Sequence, residues 1–513
     1  MKPASELPEA ERIELCAEVA TPRSVLTSRP VLAVAGVLFL GVVAELVPGL
    51  AALRVLTPRP AEEEREAPPP AQPPLEVGEA LLNDDTRSGK DVAPPPESPS
   101  RARFGSAPGE VGASVDTQPN LAVIDPSGTA LDHFFNALQR TQRKVPGAVT
   151  RITHFGDSIV VSDYVSSTLR RRFQEHFGDA GHGFTLIANA WPAYVHEGVE
   201  RYATVGWKVS RVVGPLAADG LYGLGCVSFT ADKNVLARFS TVAKGDQGRS
   251  VSRFVVLYLE QPAGGSFRVS VDGTPREVVS TEGPIKRSRF HEVRVSDGPH
   301  ELEIFTQSGV SRLFGVVLER DEPGVVLDAI GIQGARIRFL DKQDDAHWAE
   351  QLAARAPSLL VYQFGANESA DGLLYPMEDY HRTMKEVLVQ GQRAVPQASC
   401  LVIGAMDRAS KRGEELVSLR VIPSIVEKQR LAAAEAGCAF FDTYAAMGGQ
   451  GSMPRWVRRG LAQADFTHPS SVGSDVIGTW IYRALMQRYG EFASRKDGAK
   501  PSAAPASSSP NRR

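Results

Sequence analysis

The sequence predicts an α/β domain with a parallel sheet, interrupted by an all-β module and set behind a membrane span and a long linker. Three observations carry that reading. AVTRITHFGDS runs a β-branched strand straight into a Gly-Asp-Ser turn, and SDYVSSTLRRRFQEHFG follows with Tyr164, Leu169 and Phe173 at helical spacing. Strand, sharp turn and helix is how such a domain opens. Residues 191–327 then change texture: SRFVVLYLE, GSFRVSVDGTPREVVS, RFHEVRVSDGPHELEIFT and SRLFGVVLE are alternating or β-branched runs parted by DG, GG and DGP turns. Such runs form an antiparallel sandwich or similar all-β module. PSLLVYQFG, SCLVIGAM and CAFFDTY finally restore apolar strands, with helical stretches between them.

Taken in order, residues 1–30 carry five glutamates and read as a cytoplasmic N-terminal segment. Residues 31–53, VLAVAGVLFLGVVAELVPGLAAL, are apolar except for Glu45 and Pro48. About 20 residues at 1.5 Å each cross the hydrocarbon, so this is one transmembrane helix by length. A cleaved signal peptide has a shorter apolar core after a brief basic start, so an uncleaved anchor fits better. Arg23 and Arg29 before it are balanced by Arg54 and Arg59 after it, and the flanks do not set its orientation. Glu45 reads as a protonated or interface-proximal side chain, or as a contact to a membrane partner. Residues 54–119 hold the chain's proline excess, 11 of 36 between Pro58 and Pro99. Proline-rich, charged chain with almost no aromatics buries too little to fold and makes an extended tether. The α/β part then occupies 120–190 and 328–495 around the insert at 191–327, and 496–513 reads as a disordered tail. Its first helix is expected at 129–141, where Leu131, Phe134, Phe135 and Leu138 share one face, and another around 377–390.

Composition removes several function classes. With 57 Lys+Arg against 60 Asp+Glu over 513 residues, the net charge of -3 gives no basic surface for nucleic acid. Four cysteines, Cys16, Cys226, Cys400 and Cys438, are too scattered for a disulfide scaffold, zinc ribbon or CxxC pair. Cys400 and Cys438 fall on apolar strands and are expected as buried structural thiols. No zinc-ligand spacing, Walker loop or dinucleotide fingerprint occurs, so neither metal nor cofactor is expected. In the insert, Trp207 and Tyr222 are the aromatics that could stack on sugar, with core packing the favoured role.

The chemistry sits at three loops. Ser158 follows the first strand, where catalytic groups of parallel sheets gather beyond the carboxyl ends. VYQFGANES places Gly365 and Asn367 after another strand, opening on the same edge. LAQADFTHPSSVG places Asp465 and His468 three apart before the last helix, so one short turn presents carboxylate and imidazole together. Each alone reads equally as a cap or turn residue; the ordered set is far rarer.

The set GDS, GxN and DxxH in this order resembles the SGNH hydrolases, also called the GDSL esterase/lipase superfamily, over residues 148–186 and 325–490. The resemblance implies a flavodoxin-like three-layer fold and a Ser–His–Asp triad of Ser158, His468 and Asp465. It implies an oxyanion hole from the Ser158 backbone, the Asn367 side chain and a glycine in DAIGIQGARI, Gly334 by its loop, with Gly331 as the alternative. HFGDSIVVSDYVSSTLRRRFQEHFGDAGHGF, QFGANES and AAMGGQGSMPRWVRRGLAQADFTHPSSVG further resemble the bacterial branch of peptidoglycan O-acetylesterases and O-acetyltransferases, several of which carry a β-sandwich between the serine and glycine loops. Two departures stand out: Ile159 where some members have histidine, and Gly365-Ala366-Asn367-Glu368 where the broader family often has GxND. The expected activity is that of a single-pass inner-membrane serine esterase, periplasm-facing, removing O-acetyl groups from a cell-wall or exported glycan. The alternatives are an O-acetyltransferase served by a membrane acyltransferase partner, and a non-catalytic polysaccharide-binding protein.

Overall fold

The computed structural model describes residues 121–498 apart from Asp246. The expected anchor at 31–53, the linker at 54–119 and the end of the tail lie outside the described residues. Among the described residues no helix is long and apolar enough to cross a membrane. The last helix, Ser471–Gly498, runs past the 495 boundary.

Five strands form the parallel sheet: Val149–Gly156, Gly324–Gly331, Leu359–Gln363, Ser399–Ile403 and Ala439–Phe441. Numbered by their order in the chain, they lie side by side as 2-1-3-4-5, with the short strand Val123–Ile124 added antiparallel at one edge. That order is the flavodoxin-like one, whose switch point lies between the first strand and the third. It matches the fold that the motif resemblance implies.

Period-two side-chain alternation builds the three layers. Leu359, Val361, Leu401 and Ile403 face helices Asp132–Gln142, Tyr164–Phe177 and Ser471–Gly498, in a core with Phe134, Phe173 and Ile481. Leu360, Tyr362, Cys400 and Val402 face helices Asp345–Arg355, Met377–Ala394 and Ile422–Glu435, in a core with Trp348, Met384 and Ile425. Such two-sided burial explains why these strands read as unbroken apolar runs.

The insert is a sandwich of antiparallel sheets. One sheet orders Thr274–Ser280, Ser266–Val271, Glu301–Ser308, Leu236–Thr241 and Val199–Ala203; the other orders Arg287–Gly298, Val251–Glu260, Ser311–Glu319, Val227–Ala231 and Lys208–Arg211. Phe239, Phe267 and Leu302 from the first meet Phe229, Phe254 and Leu313 from the second in one core.

Two boundaries differ from the sequence reading. Gly181–Thr185, assigned to the α/β part, pairs antiparallel with Ser311–Glu319 of the insert. Conversely Gly324–Gly331, partly assigned to the insert, pairs parallel with Val149–Gly156. GVVLDAIG is buried along its whole length, and a run of β-branched residues does not reveal which sheet it joins.

The cysteine reading needs correcting as well. Cys400 and Cys438 are bonded to each other, not free thiols. Leu401 is in register with Ala439, so the residues preceding them lie opposite each other on neighbouring strand ends with Cα atoms 4.7 Å apart, inside the bridging range. Closing a loop across a sequence separation of 38 is expected to add about 2–4 kcal/mol. Urea unfolding with and without reductant measures it, and coincident curves would refute the contribution.

Candidate active site

Strand register sets the stage. Gly156 is level with Gly331 and with Gln363, and Gln363 is level with Ile403, so four loops leave the sheet at one height. The first and third flank the switch point, where open α/β sheets form their crevices. The first loop turns sharply because Gly156 has no side chain: a Cβ there would lie 2.3 Å from Val160 Cγ2. Asp157 then caps the short helix Ser158–Val161, its carboxylate accepting from the Ile159 N–H at 3.1 Å. Ser158 is left at the helix start with its hydroxyl outward.

His468 arrives from the other end of the domain. Ser470 accepts the Gly473 N–H at 3.1 Å and so caps the last helix. The His468 carbonyl accepts from the Gln463 N–H at 2.8 Å, closing the turn that holds Asp465. Ser158 Oγ lies 2.7 Å from His468 Nε2, and His468 Nδ1 lies 2.6 Å from Asp465 Oδ2. Burial works to raise the Asp465 pKa, but hydrogen bonds from the His468 ring and from the His468 and Thr467 N–H groups prevail and hold it at about 2. A carboxylate can only accept. Nδ1 of His468 therefore carries its proton toward Asp465, leaving the Nε2 lone pair for the Ser158 hydroxyl. Such a chain can activate a hydroxyl as a nucleophile.

Asn367 and Gly334 lie on the loops to either side of Ser158. The Asn367 amide donates one N–H to the Ala335 carbonyl at 2.9 Å, which leaves its second N–H for another acceptor. Gly334 stands in a turn beyond its strand at φ 74°, with open space where a side chain would be. Gly331, the alternative, lies inside the strand, where a Cβ would be 2.2 Å from the Val161 nitrogen; it lets the Ser158 helix pack close. Tyr222 is buried, its hydroxyl accepting from the Ala217 N–H at 2.9 Å, and Trp207 donates to the Leu236 carbonyl at 3.2 Å while packing on the core. Core packing, the favoured role, is what both do. Among the described residues no group of three or more His, Cys, Asp or Glu could hold a metal ion.

Three groups behind the site were given no role by the sequence reading. Asp157 is fully buried, and burial raises its pKa to about 6 against the lowering pull of the Ile159 N–H, His468 and Arg408. Glu368, the GANE departure, is raised to about 7, first by burial and further by Asp157. Its carboxyl accepts the Ile337 N–H at 2.8 Å, bracing the Asn367 loop against the Gly334 loop. Arg408 sits on the fourth loop, beyond Ile403. Its only sequence signal is a charged residue shortly after an apolar strand that ends on the active edge.

No protein-family model matches the sequence, and no curated protein matches it. Among solved structures, a peptidoglycan O-acetylesterase aligns with TM-score 0.61 and 21% identity over 72% of this chain and 99% of its own. The chain shares that enzyme's fold. The SGNH hydrolase resemblance drawn from the GDS, GAN and DFTH motifs is thereby upheld at the level of architecture. An acetylxylan esterase variant from Geobacillus stearothermophilus aligns at TM-score 0.24 and 19% identity over 33% of this chain and 74% of its own, too loose an overlap for anything to rest on it.

Proposed function

We propose that this chain is a serine esterase that removes O-acetyl groups from a cell-wall or exported glycan through an acyl-enzyme on Ser158. The observation that carries the reading is the hydrogen-bonded chain Ser158–His468–Asp465, with links of 2.7 and 2.6 Å. His468 Nε2 takes the Ser158 proton as Oγ attacks the ester carbonyl. The oxyanion forms against the free Asn367 N–H and the backbone N–H groups of Ser158 and Gly334, donors fixed before the reaction. Collapse breaks the bond to the sugar oxygen, which takes the proton from His468 and leaves as a hydroxyl; water then enters by the reverse sequence and releases acetate. Asp465 stays ionised throughout and keeps the imidazole in the working tautomer.

The proposed location is the outer face of the cytoplasmic membrane, held by residues 31–53 and the proline-rich tether. The Cys400–Cys438 bond supports it, since disulfides persist in oxidising compartments. Full-length protein in detergent, given O-acetylated peptidoglycan, is expected to release acetate. Acetyl transfer to an added glycan with negligible free acetate would replace the esterase by the transferase reading. No reaction with any acetyl ester would leave the glycan-binding one.

A further inference from the structure

Arg408 joins the two halves of the site. Its Nη1 donates to the Ala366 carbonyl and to Ser369 Oγ, the latter at 2.7 Å. Its Nε and Nη2 donate to Thr467 Oγ1 at 3.2 and 3.0 Å. Ala366 directly precedes Asn367, and Thr467 directly precedes His468. Thr467 in turn donates its hydroxyl to the Asp465 carbonyl at 3.2 Å and its N–H to Asp465 Oδ1 at 2.9 Å. One guanidinium thus reaches the loop bearing the oxyanion amide and the turn bearing the base.

The Arg408 backbone is fixed as well. Its carbonyl accepts from the Leu419 N–H at 2.7 Å, and the adjacent Ala409 N–H donates to the Phe466 carbonyl at 3.0 Å. The cavity beside it, lined by Ile159, Phe364, Ala366, Met406 and Thr467, measures about 10 Å³, at most one water. The guanidinium's four bonds leave Arg408 little to offer a substrate, which argues against a ligand role.

We propose that Arg408 is a positioning residue for the Ser158 site, holding the Asn367 loop and the Asp465–His468 turn in one fixed relation so that amide donor and imidazole face the same reacting centre. The inference rests on the esterase reading above. A planar fork with donors in two directions is required; lysine, a point charge on a flexible stem, satisfies one side at a time. The cation is also attracted by the Asp157 and Asp465 carboxylates, and Asp465 is bonded to His468.

The test compares Arg408→Met and Arg408→Lys with wild type in the full-length protein. It measures kcat and KM on an acetyl-ester reporter, the thermal midpoint, and labelling of Ser158 by a fluorophosphonate. Arg408→Met is expected to lose about 100-fold in kcat, the scale of a misplaced reacting group, with KM within about twofold. Arg408→Lys should lose kcat as well, because one ammonium cannot hold both sides. If Arg408→Met does not fold, the lysine variant carries the same kcat test, and unchanged kcat there overturns the proposal. So does a folded methionine variant labelled at the wild-type rate, or one whose KM alone rises. Wild-type protein that neither turns over nor labels defeats the esterase reading instead.

Discussion

Ser158→Ala is expected to lower acetyl-ester turnover by about 10,000- to 1,000,000-fold, the range found when a triad nucleophile is removed. The size of the effect follows from what the hydroxyl alone supplies. With the oxygen gone, His468 Nε2 has no proton to take and no acyl-enzyme forms, so only the preset donors remain to polarise a carbonyl for direct attack by water. The fold should not feel the change. The cap of the Ser158–Val161 helix comes from Asp157, not Ser158, so the thermal midpoint is expected to hold and substrate to bind as before. His468→Ala should cost about as much, and the double variant little more than either alone, because the two act as a unit. Because Asp465 is held at about 2, its titration should leave no mark on the rate between pH 4 and pH 9. Steady-state kinetics on an acetyl-ester reporter decide the matter. Residual activity of Ser158→Ala above about one per cent of wild type would move the nucleophile elsewhere.

The parts of this site that were legible in the sequence are those whose geometry is local. Asp465 and His468 meet because three residues of turn separate them, and Ser158 faces outward because Gly156 and Asp157 shape the turn beneath it. Asn367 was legible at one remove, from its position just past an apolar strand. Arg408 and the Cys400–Cys438 bond were not legible, for a shared reason. Each depends on which strands lie side by side and in what register, and a separation of 38 residues says nothing of that. The apolar run 324–331 misled for a related reason: a strand buried on both faces and a sandwich strand use the same β-branched residues. Glu368 stood in plain view as a motif departure, but its partner, the Ile337 N–H, comes from the neighbouring loop.

The largest stability effect is expected at Glu319, where the insert is fastened to the α/β layers. Its side chain is 0% exposed and lies among three arginines from three elements. Arg151 of the first parallel strand donates from Nε and Nη2 at 2.9 Å each, Arg355 at the end of helix Asp345–Arg355 donates at 2.8 Å, and Arg253 of the insert closes the ring. Burial opposes ionisation of Glu319, yet the attraction of Arg355, Arg151 and Arg253 overrides it and draws its pKa well below the ordinary carboxylate range. Glu319→Ala would take from Arg151 its two bonds to Glu319 and leave Arg355 to Asp328 and Arg253 to Glu292. Removing one partner from a buried ion cluster costs about 3–5 kcal/mol, whereas an exposed pair is worth about 1 kcal/mol or less. The pH dependence has a definite sign. The stabilisation is complete above the pH at which glutamate ionises in the unfolded chain, about 4.3, and is lost as pH falls below that toward the depressed native value. Urea unfolding at pH 7 should therefore separate wild type from Glu319→Ala widely, and the gap should narrow as the pH drops below about 4.3. A difference under about 1 kcal/mol at pH 7 would place this cluster among surface pairs, and a gap that widened in acid would contradict the charge balance assigned to it.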